Sequence, residues 1–553
     1  MRERLSHPAR LRKGLGVAVA MTIVIAAACG SDDDDGDAAE TSEPSEVTSA
    51  LSAGGTATAP SASSSAGSQP EGEAAVGGVL DVSVSADASS LDPQTGPAGT
   101  DHIILYPLFD TLITFEQATL EPRPGLAKEW EFVSPTQLRL SLVDGVRFHD
   151  GTPMDAAAVK ASLDRYKEVG APADLASVDS IVVVDPVTVD IMMNRPDSSL
   201  VLVLADRAGM IVSAAAAAAA GEEFSRRPVG TGPYTFVEWR DGDSITLTKN
   251  EDYWQEGKPY LDGIVFRVMT DRQTAANALL TGDVDFADQL DKAGLGQLEA
   301  SDDIEVSADP TVLVRMIYLN SSKEPLDDPL VRRAINHAID RDGIVAATQA
   351  GLGEVAWLPV PQDHWAYDDS DVPVWSYDPE LSKQLLSEAG LPDGFSVDVV
   401  LPNDPSIVLV GEAIQSQLAE VGIQYNITAM DWTQGITEYY EKQNFDAAQH
   451  SWTGRPDPGQ TYARLFSPEG FENPGGLEIP GIVEAMAAAT AVDDQAERGA
   501  RYADVNDLVN EASPWVPLYF NANLTGYGDD VRGYEPSLLG KPQVAFLQLV
   551  DGE

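Results

Sequence analysis

Between residue 78 and the C-terminus, the hydrophobic positions follow two different periods. Short stretches dominated by β-branched residues predict β-strands. These stretches are 180–184, 188–192, 245–248, 264–269, 312–319, 397–401 and 423–428. They are separated by segments whose apolar residues recur at helical spacing. This alternation predicts an α/β architecture rather than a helical bundle or a β-sandwich.

Three of the helical segments have clear start signals. Asp155, Asp328 and Asp378 each precede an apolar stripe and can accept hydrogen bonds from the first backbone amides of a helix. Gly390 supplies a stop for the third of these helices. The seven alanines at 214–220 have high helix propensity and predict a further, structural helix.

The N-terminal 28 residues have the pattern of an export signal. Five basic residues within the first 13 precede a mostly apolar stretch at 15–28, which is too short to span a bilayer comfortably. Cys29, the single cysteine, follows directly, so no intramolecular disulfide is possible. The run Ala26-Ala27-Ala28-Cys29 resembles a bacterial lipoprotein box, whose cysteine becomes lipid-modified, although that box usually has Leu where Ala26 stands. The alternative is a signal-peptidase site with an incidental cysteine.

Residues 29–77 have the composition of a disordered acidic tether. They contain ten acidic residues, no Lys or Arg and no aromatic residue. Such a segment cannot bury enough apolar surface to fold. A flexible chain of this length spans about 40 Å, so we expect it to link a lipid anchor to the folded body.

Charge excludes several classes of partner. The 553 residues include 35 Lys plus Arg against 88 Asp plus Glu, a formal net charge of −53. Most of the surface would repel nucleic acid, so we expect no nucleic-acid partner.

The sequence lacks the common local signatures of an enzyme. Its six histidines show no pair at metal-ligand spacing, and we expect no metal and no cofactor. Gly230-Thr231-Gly232 lacks the remaining residues of a nucleotide-binding loop, and no Gly-x-Ser-x-Gly elbow occurs. We therefore expect no enzyme, and a hydrolase built from distant residues stays a minor alternative.

A series of motifs from Gly78 onward resembles the family 5 extracellular solute-binding proteins of ABC importers. In the family's order they are LDP at 91–93, YPLFDTL at 106–112, PGLAKEW at 124–130, GVRFHDGTP at 145–153, VGTGPY at 229–234, NEDYW at 250–254, GDVD at 282–285, and DPLVRRAI at 328–335 followed by AIDR at 338–341. In the block around His149, Gly145 and Gly151 suit the tight turns that flank a short strand, and Gly230, Gly232 and Pro233 fix a loop before the strand at Tyr234. We interpret His149 as a packed turn residue.

The resemblance implies a two-lobed, type II periplasmic-binding-protein-like clamp with an additional inserted domain. Lobe I is expected at 78–97, 228–310 and 515–553, the additional domain at 98–227, and lobe II at 311–514. The ligand would lie between the lobes, and contact with both would favour the closed form.

The segment 450–458, His-Ser-Trp-Thr-Gly-Arg-Pro-Asp-Pro, carries the main candidate ligand contacts. In peptide-binding members of the family, the position three after the matching Trp is an Asp that pairs with the ligand's α-amino group; here it is Arg455. This reversed charge favours a carboxylate or another anion. Asp457 is the alternative amine partner or a neutraliser of Arg455, and a purely structural ion pair is a further possibility for Arg455.

Aromatic residues supply the remaining candidates. Trp452 is expected to form a wall of the site or to pack in the core. Tyr106 is a candidate contact from the opposite side, and Trp357, Trp365 and Trp432 are weaker candidates.

The predicted function is that of a substrate-binding lipoprotein of an ABC importer. We expect it to capture oligopeptides or peptide-like and opine-like solutes and to deliver them to a permease. The permease and ATPase would be separate chains, since this one has no phosphate-binding loop. We expect a monomer, exported and lipid-anchored at the outer face of the cytoplasmic membrane. A ligand-presenting sensor on the same fold is the alternative.

Overall fold

The computed structural model describes residues 75–96, 99–368, 370 and 372–550. The expected export signal, Cys29 and almost all of the expected tether lie outside these residues. None of the helices within the described ranges combines the length and apolar character needed to cross a membrane.

Nineteen strands are present in the described residues. They are β1 (Val79–Val84), β2 (Ile113–Phe115), β3 (Pro122–Pro124), β4 (Ala127–Ser134), β5 (Gln137–Leu142), β6 (Val178–Asp185), β7 (Thr188–Met193), β8 (Tyr234–Arg240), β9 (Ser244–Lys249), β10 (Gly263–Val268), β11 (Phe286–Ala287), β12 (Ile304–Leu319), β13 (Glu354–Val355), β14 (Phe395–Pro402), β15 (Ile423–Met430), β16 (Ala447–Trp452), β17 (Trp515–Gly528), β18 (Val531–Arg532) and β19 (Gln548–Leu549). The seven predicted strands all coincide with members of this set.

Fourteen α-helices accompany them in the same residues. They are α1 (His102–Leu108), α2 (Ala156–Val169), α3 (Leu200–Val203), α4 (Ala214–Ala220), α5 (Arg272–Thr281), α6 (Leu295–Leu298), α7 (Pro329–His337), α8 (Arg341–Thr348), α9 (Pro379–Glu388), α10 (Pro405–Glu420), α11 (Trp432–Ile436), α12 (Pro458–Phe466), α13 (Ile482–Thr490) and α14 (Gln495–Ala512).

The predicted helix starts are confirmed. Asp155 accepts hydrogen bonds from the amides of Ala157 and Ala158 at the start of α2. Asp328 and Asp378 cap α7 and α9 in the same way, each followed by proline at the first helical position. The alanine run forms α4.

A mixed sheet of eleven strands is the largest sheet of the described chain. Its order is β15-β14-β16-β12-β17-β11-β1-β10-β9-β8, and β13 pairs with β17. The strands β12 and β17 join its two halves, because they pair first over 304–310 with 522–528 and again over 314–318 with 515–520. An irregularity between Pro310 and Val314 separates these two pairings, and such irregularities bend a strand.

A second sheet of four antiparallel strands, in the order β4-β5-β7-β6, lies within residues 127–193. One of its faces packs with α2 around a cluster that includes Leu140, Leu163 and Ile191, all almost fully buried. The part of the large sheet that contains the neighbouring strands β16 and β12 has a buried cluster on each face. One cluster lies around Val399 and the other around Met316. The elements that carry the site pack against these cores.

The loop at 228–234 approaches α1 very closely. A Cβ atom on Gly232 would lie 2.4 Å from the carbonyl carbon of Leu108. His149 packs against the same loop, since its Nε2 lies 3.0 Å from the carbonyl oxygen of Gly232 and its Nδ1 accepts from the amide of Gly230. These contacts agree with the interpretation of His149 as a packed turn residue.

Candidate functional site

A cavity of about 670 Å³ lies between two sets of side chains that are distant in sequence. The first wall consists of residues 93–96, 99, 102, 166, 169–171, 174, 203, 206–207 and 541. The second wall consists of residues 432, 436, 440, 450–453, 455, 460, 464 and 471–472. Clefts between separate structural units are the usual place for small-molecule sites, and this volume lies within their range of roughly 300–1,000 Å³.

The second wall is built where β16 ends. Gly454 has a φ of +69°, and a Cβ atom there would lie 2.3 Å from Val312, so the turn needs glycine. The chain then continues through Arg455 to Asp457, which accepts a hydrogen bond from the amide of Gly459 at the start of α12. The turn thus sets Trp452 and Arg455 at the cavity surface.

Two guanidinium groups lie over the Trp452 ring. The central carbon of Arg455 is 4.5 Å and that of Arg464 is 4.6 Å from the Trp452 ring centroid. The indole N–H donates to the Thr461 hydroxyl at 3.1 Å. Cation–π contacts of this length are attractive. Trp452 therefore belongs to the buried core and also supports two cations at the cavity.

Arg455 is half-buried and makes only local hydrogen bonds. It donates to the carbonyl of Gly454 at 2.7 Å and more weakly to the Thr453 hydroxyl at 3.4 Å. No carboxylate of the described chain forms an ion pair with it. Its charge nevertheless acts on Asp206 and Lys541 of the first wall. The guanidinium thus has remaining donors for a ligand.

The first wall contains a buried charge cluster. His102 Nε2 lies 2.6 Å from Asp206 Oδ1, and Lys541 Nζ lies 3.7 Å from Asp206 Oδ2. Burial, together with the charge of Lys541, lowers the pKa of His102 to about 4, so His102 is neutral at pH 7. Burial lowers the pKa of Lys541 to about 8 against the opposing effect of Asp206. Burial would raise the pKa of Asp206, but the charge of Lys541 and the contact with His102 hold it well below its usual range.

A second polar cluster lies in the opposite wall. The Tyr440 hydroxyl donates to Glu472, and Arg464 Nε lies 3.1 Å from Glu472 Oε1. Burial raises the pKa of the Glu472 carboxyl. Burial also lowers the pKa of His450, whose Nε2 lies 2.6 Å from the Tyr440 oxygen, to about 3. Glu472 is thus committed to protein donors.

The cavity carries more positive than negative groups. Its lining has four cations (Arg207, Arg455, Arg464 and Lys541) and three carboxylates (Asp174, Asp206 and Glu472). Asp174, the third carboxylate, accepts hydrogen bonds from the Tyr166 hydroxyl at 2.6 Å and from the Gln460 amide at 3.3 Å. Every carboxylate of the lining therefore has protein donors. Three of the four cations have a carboxylate partner: Arg207 pairs with the buried Asp101 at 3.5 Å, Lys541 with Asp206 and Arg464 with Glu472. In a chain of net charge −53, Arg455 remains as a positive group of the described lining that can attract an anion.

The structure brings together two of the four residues predicted for ligand binding. Trp452 and Arg455 line the cavity. Asp457 does not: its side chain is fully buried and paired with Arg498, so a role as the ligand's amine partner would require breaking that ion pair. Tyr106 is also absent from the lining, because it is buried with its ring centroid 5.6 Å from that of His102.

Sequence reasoning missed much of the site. Lys541, Asp206 and Arg464 have no local motif that marks them, since only the fold places them around one cavity. Trp432 is part of the lining, whereas Trp357 and Trp365 are not. The spacing of Trp432, Ile436 and Tyr440 would have been a usable signal, because residues four apart share one face of a helix.

The two walls also touch directly. Gln460 of the second wall donates to Asp174 of the first. Away from the cavity lining, the amide and the hydroxyl of Ser198 both donate to the carbonyl of Thr490, at 2.8 and 3.1 Å. Direct hydrogen bonds therefore join the two sequence regions that form the walls. No group of three or more His, Cys, Asp or Glu side chains in the described ranges could hold a metal ion.

The amino-acid sequence is similar to one family of solute-binding proteins. Residues 121–473 match the family model described as bacterial extracellular solute-binding proteins, family 5 middle. The glutathione-binding protein GsiB of Salmonella paratyphi A is 33% identical over 423 residues, which cover 71% of this chain and 80% of that protein. GsiB of Escherichia coli K12 is 33% identical over 416 residues, with the same coverage of 71% and 80%.

Solved structures of periplasmic binding proteins have a similar fold. The periplasmic binding protein DppA of Helicobacter pylori in complex with the peptide STSA has a TM-score of 0.75 at 27% identity, covering 86% of this chain and 98% of that one. AgaA of A. tumefaciens R10 in complex with agropinic acid has a TM-score of 0.74 at 26% identity, covering 86% and 99%. The fold is thus the two-lobed, type II clamp of periplasmic binding proteins. The chain belongs to family 5 of the bacterial extracellular solute-binding proteins, which bind solutes for ABC importers and are not enzymes.

Proposed function

We propose that the protein captures a short acidic peptide or a peptide-like solute, such as an opine, and delivers it to a membrane permease. The observation that carries this proposal is Arg455, a cation of the cavity lining that is bound to no carboxylate of the described chain. A ligand carboxylate would supply the missing counter-charge.

Arg455 is well placed for this contact. Trp452 supports one side of its guanidinium at 4.5 Å, and the Gly454 carbonyl takes one of its donors. A planar guanidinium fixed in this way can bind a carboxylate through two parallel hydrogen bonds. Lys541, which is close enough to Arg455 for that charge to help lower the pKa of Lys541, would contribute from the opposite wall.

Gln460 offers a complementary acceptor. Its carboxamide oxygen is buried at the cavity and has no hydrogen-bond partner among the described residues, while its amide donates to Asp174. A buried polar atom without a partner costs free energy. The N–H groups of a peptide-like ligand would satisfy it, and so support peptide-like chemistry in addition to negative charge.

The relatives support the same chemistry. GsiB is a glutathione-binding protein, and AgaA was solved with agropinic acid; both of these solutes are acids. DppA was solved with a tetrapeptide. A cavity of about 670 Å³ favours short ligands of this kind.

The proposed lobes account for closure. Lobe I would comprise 78–97, 228–310 and 515–553, the additional domain 98–227, and lobe II 311–514. The irregularity in β12 between Pro310 and Val314 supports a crossing between lobes at this point. Most of the first wall would belong to the additional domain and all of the second wall to lobe II, so a ligand would stabilise the closed form by touching both.

The proposed anchor is a lipid on Cys29, with residues 29–77 as tether. The protein would act as a monomer at the outer face of the cytoplasmic membrane, beside a permease and an ATPase encoded as separate chains. We expect Cys29→Ser to shift the protein from the membrane fraction to the soluble exported fraction and to abolish labelling by a fatty-acid analogue. Unchanged labelling in this variant would refute the anchor.

Calorimetric titration of the purified protein tests the ligand class. We expect glutathione, acidic dipeptides or opines to bind, and we expect the diethyl ester of a bound acid to bind at least tenfold more weakly. Arg455→Ala should weaken binding of the acid by about 10- to 100-fold, because a hydrogen bond to a charged group contributes about 1.5–3 kcal/mol to the binding free energy.

Matched variants sharpen this test. Arg455→Lys should retain part of the affinity, because it keeps the charge and loses the planar donor pair. Arg501→Ala removes an exposed arginine outside the cavity lining and should leave binding unchanged. Preference for neutral or cationic peptides, or equal binding of acid and ester, would refute the proposal.

A further inference from the structure

The second wall contains an apolar stripe that the anion-binding role does not use. Trp432 and Ile436 are the first and last residues of α11, and Tyr440 lies in the π-helical turn Thr437–Glu441 that continues it. The three residues follow one another at four-residue spacing, and all three line the cavity. They therefore form one continuous face of a helical segment.

The opposite face of this segment anchors it to the core. Tyr439 is fully buried, and its hydroxyl donates to the Tyr318 carbonyl at 3.0 Å. A Cβ atom on Gly435 would lie only 3.0 Å from the Trp432 ring, so the indole packs over this glycine. The His450 ring is 4.4 Å from the Trp432 ring. The stripe is thus a fixed surface, and π-helical turns often occur at functional sites.

Two exposed apolar side chains add to the apolar surface of the cavity, one beside the stripe and one in the opposite wall. Phe471 stacks on Tyr440 with a centroid distance of 4.4 Å and is 45% exposed. Val169, at the end of α2 in the first wall, is also 45% exposed and lines the same cavity. Large apolar surface left exposed to water in a binding cavity is a typical mark of a ligand contact.

The stripe presents its rings and not its polar atoms. The Tyr440 hydroxyl is bound to Glu472 inside the protein, so the ring remains for contact. The stripe is also continuous with the cationic part of the cavity, because Arg464 lies 4.5 Å from the Phe471 ring and 4.6 Å from the Trp452 ring. A ligand that reaches Arg455 with a carboxylate can therefore extend across this aromatic surface.

We infer that Trp432, Ile436, Tyr440 and Phe471 form a subsite for a bulky apolar substituent carried by the acidic ligand. This inference rests on the proposed function and narrows it. The favoured solutes are acidic peptides or conjugates with an alkyl or aryl group, rather than small acids that are polar throughout. Burying one methylene group lowers the dissociation constant about fourfold. A substituent with several buried carbons should therefore increase the affinity measurably.

A matched pair of probes tests the subsite. Glutathione and S-hexylglutathione have the same carboxylates and amine and differ in the apolar chain on sulfur. By calorimetry, S-hexylglutathione should bind at least tenfold more tightly than glutathione. Phe471→Ala should reduce this ratio to about threefold or less. Tyr377→Ala, which removes another aromatic ring that is 45% exposed and outside the lining, should preserve the ratio.

The outcomes separate the subsite from the proposed function. If glutathione binds and S-hexylglutathione binds no more tightly, or if Phe471→Ala leaves the ratio unchanged, the subsite is refuted and the acidic ligand class stands. If Arg455→Ala weakens both probes by the same factor, the two contacts are independent, which supports the subsite. If neither probe nor any acidic peptide binds, the proposed function fails and the subsite fails with it.

Discussion

The buried ion pair between Asp457 and Arg498 offers a direct test of which acidic and basic groups are structural. Both oxygens of the Asp457 carboxylate lie 2.9 Å from guanidinium nitrogens of Arg498. The two side chains are 0% and 7% exposed. Asp457 also caps α12. The substitution Asp457→Asn keeps the size and a cap acceptor and removes the charge.

The expected cost is large. Removing one partner of a buried ion pair costs about 3–5 kcal/mol, because the other charge stays buried without compensation. The neutral asparagine oxygen can still accept one hydrogen bond from Arg498, so we expect the lower end, about 3 kcal/mol. The free energy of unfolding, measured by urea denaturation, should fall by this amount. Glu497→Gln breaks an exposed pair with Arg501 and should cost less than about 0.5 kcal/mol.

The same variant separates the structural role from a role in ligand binding. If Asp457 is structural, Asp457→Asn lowers stability and leaves the affinity for an acidic ligand within about twofold. A loss of affinity of tenfold or more, with little change in stability, would refute the reasoning and make Asp457 the partner of the ligand's amine. Adding Arg498→Met to Asp457→Asn should recover part of the stability, since replacing both charges removes the uncompensated one.

Two further predictions concern packing and pH. Gly232→Ala should lower the free energy of unfolding by about 3 kcal/mol, the upper end for overpacking, because its Cβ would collide with backbone atoms of Leu108. The control Gly296→Ala, which has open space around its Cβ, should leave the free energy of unfolding unchanged. Equal effects of the two substitutions would contradict this account. Affinity for an acidic ligand should fall as the pH rises through about 8, where the Lys541 ammonium loses its proton. Lys541→Arg should remove that part of the pH dependence in calorimetric titrations, and an unchanged profile would exclude Lys541 from the site.

Local elements could be predicted from the sequence because their causes are local. The helix starts at Asp155, Asp328 and Asp378 depend on a side chain and amides two or three residues away. The predicted strands depend on runs of β-branched residues. By contrast, the sequence contains no signal for the pairing of β12 with β17, which joins residues some two hundred positions apart.

The site was predictable only in part, for the same reason. A motif at the end of β16 pointed to Trp452 and Arg455, which both line the cavity. The ion pair of Asp457 with Arg498 spans 41 positions, and Lys541 is 335 positions after its neighbour Asp206. Such contacts follow from the fold, so sequence reasoning left the role of Asp457 open between the ligand's amine and Arg455, and it did not find Arg498 or Lys541.

A crystal structure of the protein with a bound acidic peptide or conjugate would test the central claim most directly. The account predicts one ligand carboxylate within hydrogen-bonding distance of the Arg455 guanidinium, in the cavity between residues 93–96 and Trp452. A ligand ammonium at this position, or a ligand bound outside the cavity with Arg455 facing solvent, would contradict it.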